Sequence, residues 1–488
     1  MNMNKPITRL AFTLLMLLTL VALPQATHAQ DKVTITYWDW WVTQGPAMDA
    51  AIKDFMAAHP NITVEKRTIG GGPYNDTINL AFQGDSAPDV FLVEDTNNFK
   101  SYIANGWVLP LNTFSDFSQW KATFPDPAAN FTEGINVLGG KTYSAPLFVA
   151  GPWLQLYVNT KLYKDAGLVN ADGSIKLPKT VDDMIANSQV IKDKSAGKAY
   201  GFGWSGTQTW AQGWWWWNCQ LSNHFYSVGG LDGFNPITGK FEWSTNACIK
   251  QDAQALIKMR DAKLIYPDAS LDDEGARAKF AEGGFAHLIG GSWVIAGWAQ
   301  THPNFKDYTA TTLPLVGTAQ PGGYFYKGPG GQEFAIYSKS KHPNESWELI
   351  KWLYGPSLGK AWADKGNGLT YFTPGKADQY ATNDAWKNIF AMIPLNIDGP
   401  QPALRNPNVS KVQFTLNGPD PNAVLSGIYT GQITDVDAAL KDLDARMTTA
   451  LNNGIQDATT AGTKVSLDDF IFKDWDPTKP YLTKPAGS

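Results

Sequence analysis

Apolar and polar residues alternate at the start of "VTITYW" (33–38), where Val33, Ile35 and Tyr37 point one way, which predicts a strand. The period then changes. In "GPAMDAAIKDFMAAHP" Met48, Ile52, Phe55 and Met56 share one helical face, with Pro46 near the start and Pro60 beyond the end. "ITVEKRT" (62–68) reads as a second strand, and Tyr74, Ile78, Ala81 and Phe82 as a second helical face, stopped by Gly84. "PDVFLVED" (88–95) holds a continuous apolar run, as a buried parallel strand does. A third helix follows through Phe99, Tyr102 and Ile103, up to Gly106. Strand and helix taken in turn predict a doubly wound parallel sheet.

The pattern restarts at "LQLYVNT" (154–160). "TVDDMIANSQVIKD" (180–193) then predicts a helix capped by Thr180, with Asp183 three residues on. Residues 250–262, 344–354, 357–365 and 436–451 also fit helices. No low-complexity linker separates the two α/β halves, which suggests interleaved lobes. The segment after about 455, rich in Asp, Lys, Pro and Thr, reads as a surface wrap.

Composition narrows the possibilities. The chain has 488 residues and a net charge of −5, with no basic run, a poor fit for nucleic acid or anionic lipid. Lys5 and Arg9 precede an apolar stretch, Leu10 to Leu23, and then "ATHAQD". Residues 1–29 therefore read as a signal peptide, and the mature protein as exported and soluble. Cys219 and Cys248 are the two cysteines. In an oxidising compartment they pair across a loop of about thirty residues, or else they stay as buried thiols. No zinc-type ligand spacing accompanies them.

Twenty tryptophans need places. Ligands of open parallel sheets bind beyond the carboxyl ends of the strands. There "WDWWVTQG" (38–45) and Glu94–Asp95 set indoles beside carboxylates and amides. Flat C–H faces of a sugar stack on aromatic rings, and its hydroxyls need paired donors and acceptors. Trp38, Trp40 and Trp41 divide between core and ligand, because alternation sends neighbours to opposite faces. The same reasoning limits "AQGWWWWNCQ" (211–220). Adjacent helical residues point about 100° apart, so Trp214–Trp217 cannot all meet one ligand. Trp204 and Trp210, in the Gly-rich "GFGWSGTQTWAQG", are equal candidates. "GGSWV" and "GWSGT" each miss the final glycine of a nucleophile elbow, and "KGPGGQE" lacks the ending of a phosphate loop. Carboxylates suffice for a glycosidase pair, which keeps a hydrolase as an alternative.

Several segments together resemble the extracellular solute-binding proteins of sugar ABC transporters, the family that includes maltose-binding protein. They run in order over about 33–452: "ITYWDWW", "SAPDVFLVED", "APLFVAGPWLQLYVNTKLYKDAGL", "KFAEGGFAHLIGGSW", "GPGGQEFAIYSKSKHPNESWELIKWL" and "SGIYTGQITDVDAALKDLDARM". The quartet at 214–217 and the tail after 455 depart from the family pattern. The resemblance implies a periplasmic binding protein-like fold of type II, two α/β lobes joined by crossover strands, with sugar in the cleft. One lobe would comprise 30–148 and 318–370, the other 149–317 and 371–455, with 456–488 as an extension. It further implies that Trp293 stacks on a sugar ring and that Trp40 or Trp41 lines the first lobe. Glu94 or Asp95 would bind hydroxyls, Gly330, Gly331 and Gln332 would face ligand from a return loop, and Tyr371 would lie near a crossover. The implied protein is a monomeric, cofactor-free receptor that hands a di- or oligosaccharide to a membrane permease. An exported glycoside hydrolase and a surface lectin are the alternatives.

Overall fold

The computed structural model describes residues 32–93, 96–149, 152–327, 331 and 333–481. The expected signal segment lies outside the described residues, as do Glu94, Asp95, Gly330 and Gln332.

The first lobe is built as the periodicity requires: β1 (Val33–Asp39), α1 (Gly45–Ala58), β2 (Ile62–Thr68), α2 (Gly71–Gln83), β3 (Val90–Leu92) and α3 (Thr96–Ala104). β1 lies between β2 and β3, parallel to both, with Val33 opposite Ile62 and Tyr37 opposite Val90. A returning strand, Phe334–Ile336, adds antiparallel to β3. Helices Pro343–Leu353 and Pro356–Asp364 follow it and place Trp347, Leu349, Leu358 and Trp362 in one core with Ile35, Phe55 and Phe334.

The second lobe centres on β4 (Gln155–Asn159), whose five residues are all buried. Strands Phe285–Gly290 and Tyr308–Thr311 flank it, both antiparallel, and Tyr200–Phe202 pairs parallel to Phe285–Gly290. Helix Val181–Lys194 starts on a capping box: Thr180 Oγ1 accepts from Asp183 N at 3.1 Å, and Asp183 Oδ2 accepts from Thr180 N at 3.0 Å. The reciprocal bonds satisfy N–H groups that the first turn leaves without helical partners. The expected last helix is longer than its pattern suggested and spans Val436–Thr460.

Two crossovers run side by side. Phe148 bridges Thr370 antiparallel, and Tyr371 N donates to Leu147 O at 2.9 Å. The third passage re-enters the first lobe later than 318. Gly323 N donates to Leu221 O, Phe325 is buried in the second lobe's core, and Phe325–Lys327 pairs with Asn396–Asp398. Residues 318–327 therefore belong with the second lobe, because glycines at 322 and 323 let this segment press against the backbone of 220–223. The extension after 460 also packs there, with Phe472 and Trp475 buried against Tyr226 and Val228.

The quartet forms a short 3-10 helix in the second lobe. Trp214, Trp215 and Trp216 are buried, and Trp215 Nε1 donates to Asp252 O at 3.1 Å. The helix after it carries Cys219, which is disulfide-bonded to Cys248 on helix Ala247–Asp261. Among the described residues no helix is long and apolar enough to cross a membrane.

Candidate functional site

β1 and β3 end at the same lip, and buried polar groups fix that lip in place. Asp39 is fully buried at the end of β1 and accepts from Thr68 Oγ1 at 2.7 Å. Burial pushes its carboxyl above the usual range, while that hydroxyl and the nearby Lys66 pull it down. Tyr74, from α2, donates to Leu92 O at 2.6 Å and so ties the helix to the end of β3. Trp40 and Trp41 leave β1 just past this anchored point.

Beyond the lip a cavity of about 390 Å³ opens between the lobes. It is within the size range of small-molecule sites. The first lobe contributes Trp40, Trp41, Phe148 and Trp362. Trp41 packs on Trp362 at 4.8 Å and on Phe148 at 5.8 Å between ring centres, which fixes its orientation. The second lobe contributes Trp153, Trp293, Trp386 and Phe390. Trp153 is 46% exposed, although its ring lies 4.6 Å from Trp217 and 6.4 Å from Trp293. The two aromatic walls are thus built from distant parts of the chain.

Polar groups are few: Gln44, Ser292, Glu333 and Asn367. Asn367 sits at the start of a crossover and is 7% exposed, yet neither its amide nitrogen nor its oxygen has a partner among the described residues. Its backbone carbonyl is in use, accepting from Trp362 Nε1 at 3.1 Å. Trp40 Nε1 likewise lacks a partner. Buried polar groups left unpaired cost free energy unless something binds them, so both mark a place for hydroxyls or water. Glu333 is half-buried, and burial pushes its carboxyl up to about 8, opposed by the Leu147 N–H that donates to it at 2.9 Å. No group of three metal-ligating side chains occurs among the described residues.

The lobes touch beside this cavity. Gln300 Nε2 donates to Thr43 O, linking helix Trp293–Thr301 to the loop after β1.

Of the residues singled out from sequence, Trp40, Trp41 and Trp293 meet at the cavity. Trp204 does not line it: its ring packs edge-on against Phe202 and Tyr429 in the second lobe's core. The Gly-rich context suggested a loop, but Trp204 follows strand Tyr200–Phe202 after one intervening residue and continues its buried run. Trp210 is 46% exposed and leans on Trp214 at 5.1 Å, outside the lining. Gly331 approaches Pro146 so closely that a Cβ would lie 2.8 Å from its Cβ, so this glycine serves packing. Tyr371 lies on a crossover and does not line the cavity. Sequence reasoning missed Trp153, Trp362, Trp386, Asn367 and Glu333.

The family model for bacterial extracellular solute-binding proteins matches residues 39–360. The multiple sugar-binding protein of Streptococcus mutans is 24% identical over 340 residues, covering 66% of this chain and 71% of its own length. Among solved structures, the GacH receptor of Streptomyces glaucescens superposes with a TM-score of 0.64 at 18% identity, over 87% of this chain and all of its own. The maltose/maltodextrin-binding domain MalE of Bdellovibrio bacteriovorus, bound to maltotriose, gives 0.58 at 20% identity, over 86% of this chain and all of its own. Two α/β lobes, three passages between them and a family match over most of the chain lead to one conclusion: this chain belongs to the bacterial extracellular solute-binding proteins.

Proposed function

We propose that the protein is the exported receptor of an ABC importer and holds a di- or oligosaccharide between its lobes. The observation that carries this reading is the pair of facing indole walls with an unpaired, buried Asn367 between them. Ring faces suit the C–H faces of a pyranose, and a free amide supplies both a donor and an acceptor to its hydroxyls. The sugar-binding description of the Streptococcus mutans relative agrees with this chemistry.

The receptor is non-catalytic. Ligand bridges both lobes and stabilises the closed form by its differential affinity for it. Gln300 and Thr43 would add their bond in that form, and a membrane permease would receive the closed protein. Calorimetric titration of the mature chain with a panel of di- to tetrasaccharides tests this, with chromatography of the sugar afterwards. Saturable binding of at least one member with the sugar intact is expected. Cleaved sugar would establish the hydrolase instead, and no binding across the panel would remove the sugar reading.

A further inference from the structure

Three features of the cavity do not follow from sugar binding in general. Its described lining contains no lysine, arginine or histidine. It contains one carboxyl group, Glu333, which makes no ion pair with any described residue. And six indoles line it, three from each lobe; Trp40, Trp153 and Trp293 keep exposed surface, while Trp41, Trp362 and Trp386 are mostly buried. Indole faces carry negative electrostatic potential and attract cations, most strongly where water is excluded. A lone, half-buried carboxyl is costly when ionised, and an incoming cation relieves that cost. An anionic solute would meet repulsion from every one of these groups.

We propose that the solute of this cleft carries a positive charge, as a sugar with a protonated or alkylated amino group does, its ammonium lying among the indoles with Glu333 as counter-ion. This rests on reading the cleft as the solute site and adds the charge of the solute to that reading. Glu333 stands at the base of the returning strand and is held by the crossover through Leu147 N, so its carboxyl is fixed where the two lobes meet. The described titratable groups that face it are Tyr354 and Tyr371, both with hydroxyls pushed above the ordinary phenol range by burial. Neither changes charge below pH 9, so among the described residues that line the cavity Glu333 is the group that titrates there.

Choline and 3,3-dimethyl-1-butanol test this directly, because they share a shape and differ in charge. Choline is permanently charged, so its own titration does not enter. Binding to the full mature chain is read by tryptophan emission and by calorimetry. At pH 9 choline is expected to bind about tenfold more tightly than its uncharged isostere. That preference is expected to vanish in Glu333→Gln, whose fold is checked by thermal unfolding. The unaltered protein provides a second measurement without any variant. As pH falls from 9 to 6, Glu333 takes up a proton, and choline is expected to bind about tenfold or more weakly while the isostere is unaffected. Equal affinity for the pair at pH 9, or a preference that survives in Glu333→Gln or does not change with pH, overturns the proposal. The sugar panel fails independently: a Glu333-dependent choline preference with no sugar bound would sink the sugar reading and leave this one standing.

Discussion

The tryptophans of the quartet and those of the cleft are the same residue type put to opposite uses. Trp215 is buried, and its N–H is paired with a carbonyl of the neighbouring helix. Trp40 has an N–H with no described partner, and Trp153 leaves nearly half its surface open. What separates them is the surrounding chain. Trp214, Trp215 and Trp216 of the quartet are buried within one lobe, whereas the cleft indoles stand where two lobes face each other and neither fills the gap. Burial by one's own lobe yields stability, and burial that awaits a ligand yields affinity. Trp217 links the two groups, since it packs on Trp153 from the quartet side. The quartet is then best understood as the support beneath the second lobe's wall.

Substitutions should separate the two groups. Trp215→Ala leaves a large void in a closed core and is expected to cost ~3–5 kcal/mol of unfolding free energy, measured in urea. Reducing the Cys219–Cys248 bond, which closes a loop of sequence separation 29 that begins just after the quartet, is expected to cost ~3–4 kcal/mol by the same measurement. Both changes act on stability first.

Glu333 tests the cleft side through pH. Its carboxyl is pushed from 4.5 to about 8 in the folded chain, so the folded state binds the proton more tightly than the unfolded one. Its contribution to stability is fully present below about pH 4.5 and is lost as pH rises to 8. Allowing for its partial exposure, the loss is ~1–2 kcal/mol, and Glu333→Gln is expected to abolish this part of the pH dependence of Tm. Trp153→Ala should change unfolding free energy by less than ~1 kcal/mol yet weaken solute affinity about tenfold. Were it to destabilise the fold as Trp215→Ala does, the distinction between support and wall would collapse. Gln300→Ala, which removes one bond between the lobes, is expected to weaken affinity about two- to fivefold without moving Tm.

Much of this architecture was legible in the chain. Alternation and helical period located β1, α1 and β2 because those elements pack against one lobe and show one apolar face each. The capping box at Thr180 was readable because it is local chemistry. Trp40 and Trp41 were readable because a strand end points to the lip, and Trp293 because the family resemblance implies it. The rest of the site was not. Trp362 lies on a helix whose apolar face also builds the first lobe's core, so its spacing carries no sign of a cavity. Trp386 belongs to a short helix beyond the last crossover, and nothing local ties it to β1. Trp153 sits just before β4 in the resembling segment "APLFVAGPWLQLYVNTKLYKDAGL", where the chain passes between the lobes, and that position is the one local sign of its role. Glu333 precedes the returning strand Phe334–Ile336, and nothing in its local sequence marks it as facing the gap. Trp204 erred the other way, because glycines around a tryptophan look like a loop even when they let it sink into a core.

The most direct test is a crystal structure of the mature protein grown with the sugar that binds most tightly in the panel. The account expects one ligand between the Trp40–Trp41–Trp362 wall and the Trp153–Trp293–Trp386 wall, with a hydroxyl paired to the Asn367 amide. A bound sugar elsewhere on either lobe, with this cavity filled by water alone, would contradict it.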